Sequence, residues 1–214
     1  MPEEKINIRP TKVYVFLGVM GSGKTYYADK VAKLKGAARI DFKTTLVDMT
    51  YELLGLPENF DYERFKASSF KLEGVSEFTG REFLQRFGTD IMRNKVDQDF
   101  WCNALVSKIK NLPAGRIGDI YETLPVAIAD CRFLNEVLAL KNAGFDTEFY
   151  LTSYKSDRYN DKSSHQSEKL AQALIKKYVD IRDWDKPVDW CLDWRTGCPD
   201  PYICRLKDNF LDYV

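Results

Sequence analysis

Residues 13–25 read Val13-Tyr14-Val15-Phe16-Leu17-Gly18-Val19-Met20-Gly21-Ser22-Gly23-Lys24-Thr25. The first five form a short apolar, β-rich run, as a buried strand should. From Gly18 onward the stretch satisfies G-x-x-x-x-G-K-[ST] in full, the pattern of a phosphate-binding loop between a strand and a helix. Glycines at 18, 21 and 23 let the backbone curl until several N–H groups point at one anion, and the positive end of the following helix reinforces that site. In such a loop Lys24 reaches the β- and γ-phosphates, and the Thr25 hydroxyl takes one position on Mg²⁺. Lys24 to Lys35 reads as the helix, with Ala28, Val31, Ala32 and Lys35 three and four apart and Gly36 where a C-cap belongs.

Working outward, Arg39 to Phe42 reads as a second strand and Leu46 to Leu54 as a helix closed by Gly55 and Pro57. Asn59 to Thr79 is polar, aromatic and poorly periodic, which predicts loop with short helical pieces. Arg81 to Lys95 is helical. Val126 to Ala129, between Pro125 and Asp130, is a second buried strand; Phe133 to Ala143 is a helix stopped by Gly144, and Glu148 to Leu151 is the next strand. A polar loop from Ser153 to Ser164 leads to a helix from about Gln166 to Lys177. Strands alternating with helices predict crossover βαβ units and a mostly parallel sheet covered on both faces, a three-layer α/β fold. The last 30 or so residues hold Trp184, Trp190 and Trp194 in Asp-Trp pairs, too close together for propeller repeats of about 40 residues. They read as a tail, 184–214, packed on the core or on a partner, which leaves 1–183 as the main domain.

The 214 residues are 44% hydrophobic and carry 32 basic and 32 acidic side chains. That apolar content excludes a disordered chain, and the zero formal charge argues against a general nucleic-acid binder. No apolar run approaches the roughly 20 residues of a membrane span. The charged start Met1-Pro2-Glu3-Glu4-Lys5 lacks a signal peptide's apolar stretch, so a soluble cytoplasmic protein is expected. The five cysteines read as free thiols. Cys191, Cys198 and Cys204 lack the C-x-x-C spacing of a zinc site, and the single histidine, His165, is far upstream.

Two further constellations carry chemistry. Asp130 ends a buried strand, where a carboxylate can meet the magnesium shell, and Arg132 emerges on the same side two residues on, at the carboxyl end where α/β sheets bind ligands. Glu136, one helical turn later, can hold the arginine's fork or touch a substrate hydroxyl. On a wheel of about 100° per residue, Arg81, Gln85, Gly88, Thr89 and Met92 gather on one side, while Leu84, Phe87 and Ile91 lie roughly 80 to 100° away. An arginine there suits a phosphate, a carboxamide suits a base edge, and a bare glycine lets a planar ligand approach the backbone. An ordinary amphipathic helix with a solvated polar side fits the same stripe.

Arg81-x-x-x-Gln85-x-x-Gly88-Thr89, Asp99-Phe100-Trp101 and Asp130-x-Arg132-Phe133-x-Asn135-Glu136, together with the phosphate loop, resemble the deoxynucleoside monophosphate kinases of tailed bacteriophages over roughly Val13 to Ile181. The resemblance implies a P-loop NTPase fold of the nucleoside-monophosphate-kinase type, with a monophosphate-binding helical part at about 56–101 and a lid at about 153–164. It implies transfer of the γ-phosphoryl of ATP to a deoxynucleoside monophosphate. Carried over by position, Ser22, Thr25 and Tyr26 would line the triphosphate site. Arg81, Gln85, Gly88, Thr89 and Trp101 would form the monophosphate pocket, with Asp130, Arg132 and Glu136 where the two substrates meet. His165-Gln166-Ser167-Glu168 is similar to the segment that follows the lid. Position 82 is Glu, where a second basic residue can follow the arginine, and Asp41 to Leu46 departs from the family's Phe-Ala-Asp-Pro-Leu.

The reaction these residues would run needs no general base, because a phosphate oxygen with a second pKa of about 6 is already largely ionised at neutral pH. Lys24, Mg²⁺ and Arg132 would hold the transferring group, and Arg158 is a candidate lid arginine over the γ-phosphate. Trp101 stacks on a base, walls the sugar or is a plain core tryptophan. Two other readings compete. One is a small-metabolite kinase with a hydroxyl acceptor, for which Asp41 could be the base. The other is a nucleotide-binding regulator or assembly protein, slow in hydrolysis, whose tryptophan-rich tail binds a partner. The aromatic tail and single-domain length also suit a homodimer.

Overall fold

The computed structural model describes residues 7–8, 10–19, 21–74, 76–117, 120–153, 169–178, 188–189, 202–206 and 210. In chain order they form β1 (Asn7–Ile8), β2 (Lys12–Gly18), α1 (Lys24–Lys35), β3 (Ala38–Arg39), α2 (Thr44–Leu53), α3 (Tyr62–Ala67), β4 (Ser69–Phe70) and β5 (Phe78–Thr79). Then come α4 (Gly80–Gln85), which continues as a π-helix (Arg86–Val96), α5 (Phe100–Lys110), β6 (Ala114–Ile117), β7 (Ile120–Thr123) and β8 (Val126–Ile128). The last elements are α6 (Leu134–Asn142), β9 (Asp146–Ser153), α7 (Lys169–Tyr178), β10 (Val188–Asp189) and β11 (Tyr202–Leu206). The chain divides into two compact units, one of Met1–Asp41 with Lys108–Val214, the other Phe42–Ser107.

The first unit is built on a six-stranded sheet in the order β10-β11-β9-β2-β8-β3. β9, β2, β8 and β3 run parallel; β11 and β10 close that edge antiparallel. The apolar run at 13–17 occupies the inner strand β2 because a parallel strand covered on both faces needs side chains that tolerate burial either way. Phe16 shares one cluster with Ala127, Ala129, Tyr150 and Ile203 and with Tyr27, Ala28, Val31 and Ala32 of α1. Val13, Val15 and Leu17 point to the opposite face by alternation and are also buried. α7, with Leu170, Leu174 and Ile175 buried, packs along β2 and β9. Each such Leu, Val or Phe stabilises the fold by roughly 1.5–3 kcal/mol relative to an exposed one. The mostly parallel three-layer α/β arrangement expected from the sequence is therefore present.

Helix α1 has the limits read from the sequence, ending at Gly36 with φ 62° and its N–H donating to Ala32 O. Other expectations need correction. The second strand is only Ala38–Arg39, because the Asp41 carboxylate turns inward to the end of β8. Residues 108–123 contain the end of α5 and a hairpin, β6–β7, whose second strand pairs parallel with β1. Of the residues beyond 183, Tyr202–Leu206 pairs with β9, and Ile203 is buried in the α1 cluster; Trp184, Trp190 and Trp194 lie outside the described residues.

The second unit draws part of its core, Phe65, Phe70 and Phe78, from the stretch that shows no periodicity. Ring contacts run from Tyr51 to Phe65, Phe70, Phe78, Phe83 and Phe87 with centroids 5.1 to 6.0 Å apart, in the offset and tilted geometries aromatic pairs favour. Gly80 lies flush against Phe65, whose carbonyl oxygen would meet any Cβ added there. α4 starts at a capping box. The Thr79 hydroxyl accepts the Glu82 N–H at 3.2 Å, and the Glu82 carboxylate accepts the Thr79 N–H at 2.7 Å. Those hydrogen bonds hold the Glu82 carboxyl below its ordinary range. The acidic residue at 82 thus serves the helix start.

Candidate active site

The glycine loop leads from β2 into α1 with Gly21 at φ 80° and Gly23 at φ 86°, backbone that L side chains rarely adopt. Among the described residues no side chain caps the N-terminus of α1, and no acidic residue lies in its first turn. The first amides of a 12-residue helix therefore present their positive end at the loop. Lys24 folds back over it, its Nζ donating to Gly18 O at 2.8 Å and Val19 O at 2.6 Å. Thr25 and Tyr26 are exposed; the Tyr26 ring sits edge-on to Tyr27 with centroids 5.3 Å apart.

Ser22 differs from what the motif leads one to expect. Its side chain is fully buried, and its hydroxyl lies 2.7 Å from that of Thr152. The Ser22 hydroxyl is thus committed to β9, and what remains for a ligand there is backbone. Sequence reasoning missed Thr152, which lies 130 positions away.

At the end of β8, Asp130 is buried and Arg132 is exposed. The Arg132 guanidinium makes no ion pair with any described residue. Glu136, 2% exposed, departs from the expected contact with the arginine fork or a substrate hydroxyl. Its carboxylate accepts the backbone N–H groups of Arg132 at 2.7 Å and Phe133 at 3.0 Å, and its own N–H donates to Phe133 O at 3.1 Å. It caps α6 and fixes the backbone from which Arg132 projects.

Asp41 sits next to that strand end. Its carboxylate accepts the Ala129 N–H at 2.7 Å and both arms of the Arg39 guanidinium at 2.9 and 3.2 Å. Arg39 also donates to Asp29 at 2.7 Å and to Ala127 O at 2.6 Å. Burial works against the charge on Arg39, but the hydrogen bonds to Asp41 and then Asp29 outweigh it and hold its pKa above the ordinary value. A carboxylate so engaged is poorly placed to take a proton from a hydroxyl, which weighs against a hydroxyl-phosphorylating enzyme using Asp41.

In the second unit, Arg81, Gln85 and Thr89 are all exposed, as the polar stripe requires. Past Gln85 the wheel fails, because the helix widens to i→i+5 hydrogen bonds, seen directly in the Asp97 N–H donating to Met92 O at 3.0 Å. The wider turn exposes Ile91, expected on the apolar face, and buries Gly88. A Cβ at Gly88 would lie 2.6 Å from Leu46 Cδ2, so the missing side chain admits Leu46 rather than a planar ligand. Trp101 is 4% exposed and its indole N–H donates to Gly88 O at 2.8 Å. It takes the core role among the three open to it. Arg158, the lid at about 153–164 beyond Ser153 and the His165 to Glu168 segment lie outside the described residues, as do Cys191 and Cys198. Cys102 and Cys131 are buried thiols outside any disulfide.

The fold is that of an α/β enzyme of the nucleoside-monophosphate-kinase type, with an open helix N-terminus under a glycine loop. A family model described as deoxynucleotide monophosphate kinase matches residues 19–172, more than two thirds of the 214. The chain belongs to the deoxynucleotide monophosphate kinase family, and is accordingly a kinase of nucleotide metabolism. No match was found among curated proteins. Among the described residues no helix is long and apolar enough to cross a membrane.

Proposed function

We propose that the enzyme transfers the γ-phosphoryl group of ATP to a deoxynucleoside 5′-monophosphate, giving ADP and the deoxynucleoside diphosphate, in the cytoplasm of a phage-infected host. The observation that carries this reading is the uncapped, acid-free start of α1 beneath a glycine loop, with Lys24 already bent over it. That arrangement supplies amide donors and one mobile cation to a polyphosphate.

Lys24 exchanges its two loop carbonyls for the β- and γ-phosphates. Thr25, at the open first turn, and Asp130, at the strand end, are hard oxygen donors of the kind Mg²⁺ takes while keeping most of its water. Bound there with ATP, the ion would neutralise charge on the transferring group. Arg132 faces that group from a backbone that Glu136 holds rigid. Arg81 grips the acceptor phosphate, Gln85 offers donor and acceptor to the base edge, and Thr89 lies on the same exposed stripe. Gly88 and Trp101 keep that stripe in shape through their shared hydrogen bond. Arg158 closes over the γ-phosphate. The acceptor oxygen is ionised before it attacks, so alignment and charge neutralisation carry the catalysis.

ATP consumption across natural and modified deoxynucleoside monophosphates, with sugar and acid acceptors beside them, tests the proposal. Stimulation by one or more monophosphates supports it. Stimulation by a hydroxyl acceptor alone, or by none, refutes it in favour of a metabolite kinase or a nucleotide-binding regulator.

A further inference from the structure

We infer that Thr152 is a positioning residue for the phosphate-binding loop: its buried hydroxyl ties Leu17, Gly18 and Ser22 to β9 and so sets how tightly the loop holds a nucleoside triphosphate. The inference rests on the reading of that loop as the ATP site.

Thr152 is fully buried on the last parallel strand, in register with Gly18. Its hydroxyl donates to Leu17 O at 3.0 Å. A threonine hydroxyl has one proton, so once that bond is made the 2.7 Å contact with Ser22 has a fixed direction. Ser22 donates and Thr152 accepts. The relay runs from Ser22 through Thr152 to the carbonyl at the end of β2. Gly18 is pressed against the same pair, since a Cβ there would collide with Ser22 Oγ, Thr152 Oγ1 and Thr152 O. Ser22 in turn closes the turn of the loop, its N–H donating to Val19 O at 3.1 Å. Two ends of the anion cradle therefore hang on one fully buried side chain.

Removing that hydroxyl does more than loosen the sheet. Ser22 is left with a buried donor and no acceptor at 152, a penalty it escapes only by rotating, and rotation shifts the turn whose amides face the phosphates. Thr152→Val keeps the β-branched shape and deletes the relay. Thr152→Ser keeps the hydroxyl. Ser22→Ala leaves the bond from Thr152 to Leu17 intact.

The test is ATP binding to the whole protein by titration calorimetry without acceptor, beside thermal melts and steady-state kinetics. Thr152→Val is expected to weaken ATP binding about tenfold and to raise the KM for ATP equally, with the KM for the monophosphate unchanged. Thr152→Ser should recover most of the affinity, Ser22→Ala should lose less, and the Thr152→Val, Ser22→Ala double variant should bind no worse than Thr152→Val alone. A Thr152→Val protein that melts lower yet binds ATP as the wild type does would overturn the inference while leaving the ATP site standing. Should Thr152→Val not fold, undiminished ATP affinity in Ser22→Ala overturns it equally. A wild-type protein that binds no ATP removes the reading of the loop, and the role of Thr152 with it.

Discussion

Asp41 holds Ala129: its carboxylate accepts the backbone N–H of Ala129 at 2.7 Å while its other contacts fork onto Arg39. One carboxylate thus joins the exit of β3 to the exit of β8, one residue before Asp130. Asp41→Asn removes the charge that offsets Arg39 and weakens the bond to Ala129. We expect a loss of about 1–3 kcal/mol in urea unfolding, the range for a broken buried hydrogen bond. Unchanged stability would show that the strand end does not depend on Asp41.

Lys24 satisfies the loop motif and bonds the loop carbonyls of Gly18 and Val19. Lys24→Met should abolish turnover while leaving the far-ultraviolet circular dichroism and melting temperature close to those of the wild type. Substantial residual activity would remove the loop from the mechanism.

Arg132 is exposed while its backbone is clamped by Glu136, an arrangement that aims a cation from a fixed point. Arg132→Ala should lower kcat on the order of 10³-fold, as for arginines that stabilise phosphoryl transfer elsewhere. If kcat does not change, Arg132 is a surface residue at a helix start.

Gln85 is exposed one turn after Arg81. If its carboxamide reads the base edge, Gln85→Ala should reorder kcat/KM among the four natural deoxynucleoside monophosphates rather than reduce all of them alike. A uniform reduction would assign it to general binding.

Glu148 gives the fold a pH dependence. It accepts from Tyr150 OH at 2.5 Å and pairs with Lys12 at 2.6 Å and Arg205 at 3.3 Å. Burial works against its charge, but the hydrogen bonds from Lys12 and Tyr150 prevail and hold its pKa below 4.5. A carboxyl depressed in the folded state binds fewer protons there than in the unfolded chain. Its stabilisation is full above that ordinary value and is lost as pH falls through the folded value. Melting temperature should therefore drop below about pH 5, and Glu148→Gln should flatten that drop. An equally steep acid limb in the variant would place the sensitivity elsewhere.

How much of this could be read from the chain follows from which signals are local. α1 lies between two glycine signals, Gly23 and Gly36, and β8 is an apolar run between Pro125 and Asp130, so both were visible. Glu136 stands at the third position of α6, where a carboxylate can reach back to the backbone N–H that precedes the helix, and that position could have marked it as a cap. Other features were hidden for physical reasons. Tyr202-Ile203-Cys204-Arg205-Leu206 mixes polar and apolar residues, and the residues it pairs with, Ser153 to Phe149, lie far upstream in the chain. The π-helix defeats a wheel drawn at α-helical spacing. The aromatic core of the second unit follows no period because ring contacts, not one helix face, assemble it.

Transfer of one phosphoryl group between two nucleotides is measured most directly with γ-³²P-labelled ATP and a deoxynucleoside monophosphate, separating the products by chromatography. The label should move to the β-position of the deoxynucleoside diphosphate, one per ADP formed, and the Lys24→Met protein should leave it on ATP. Label released as inorganic phosphate at a rate no monophosphate alters would contradict the account.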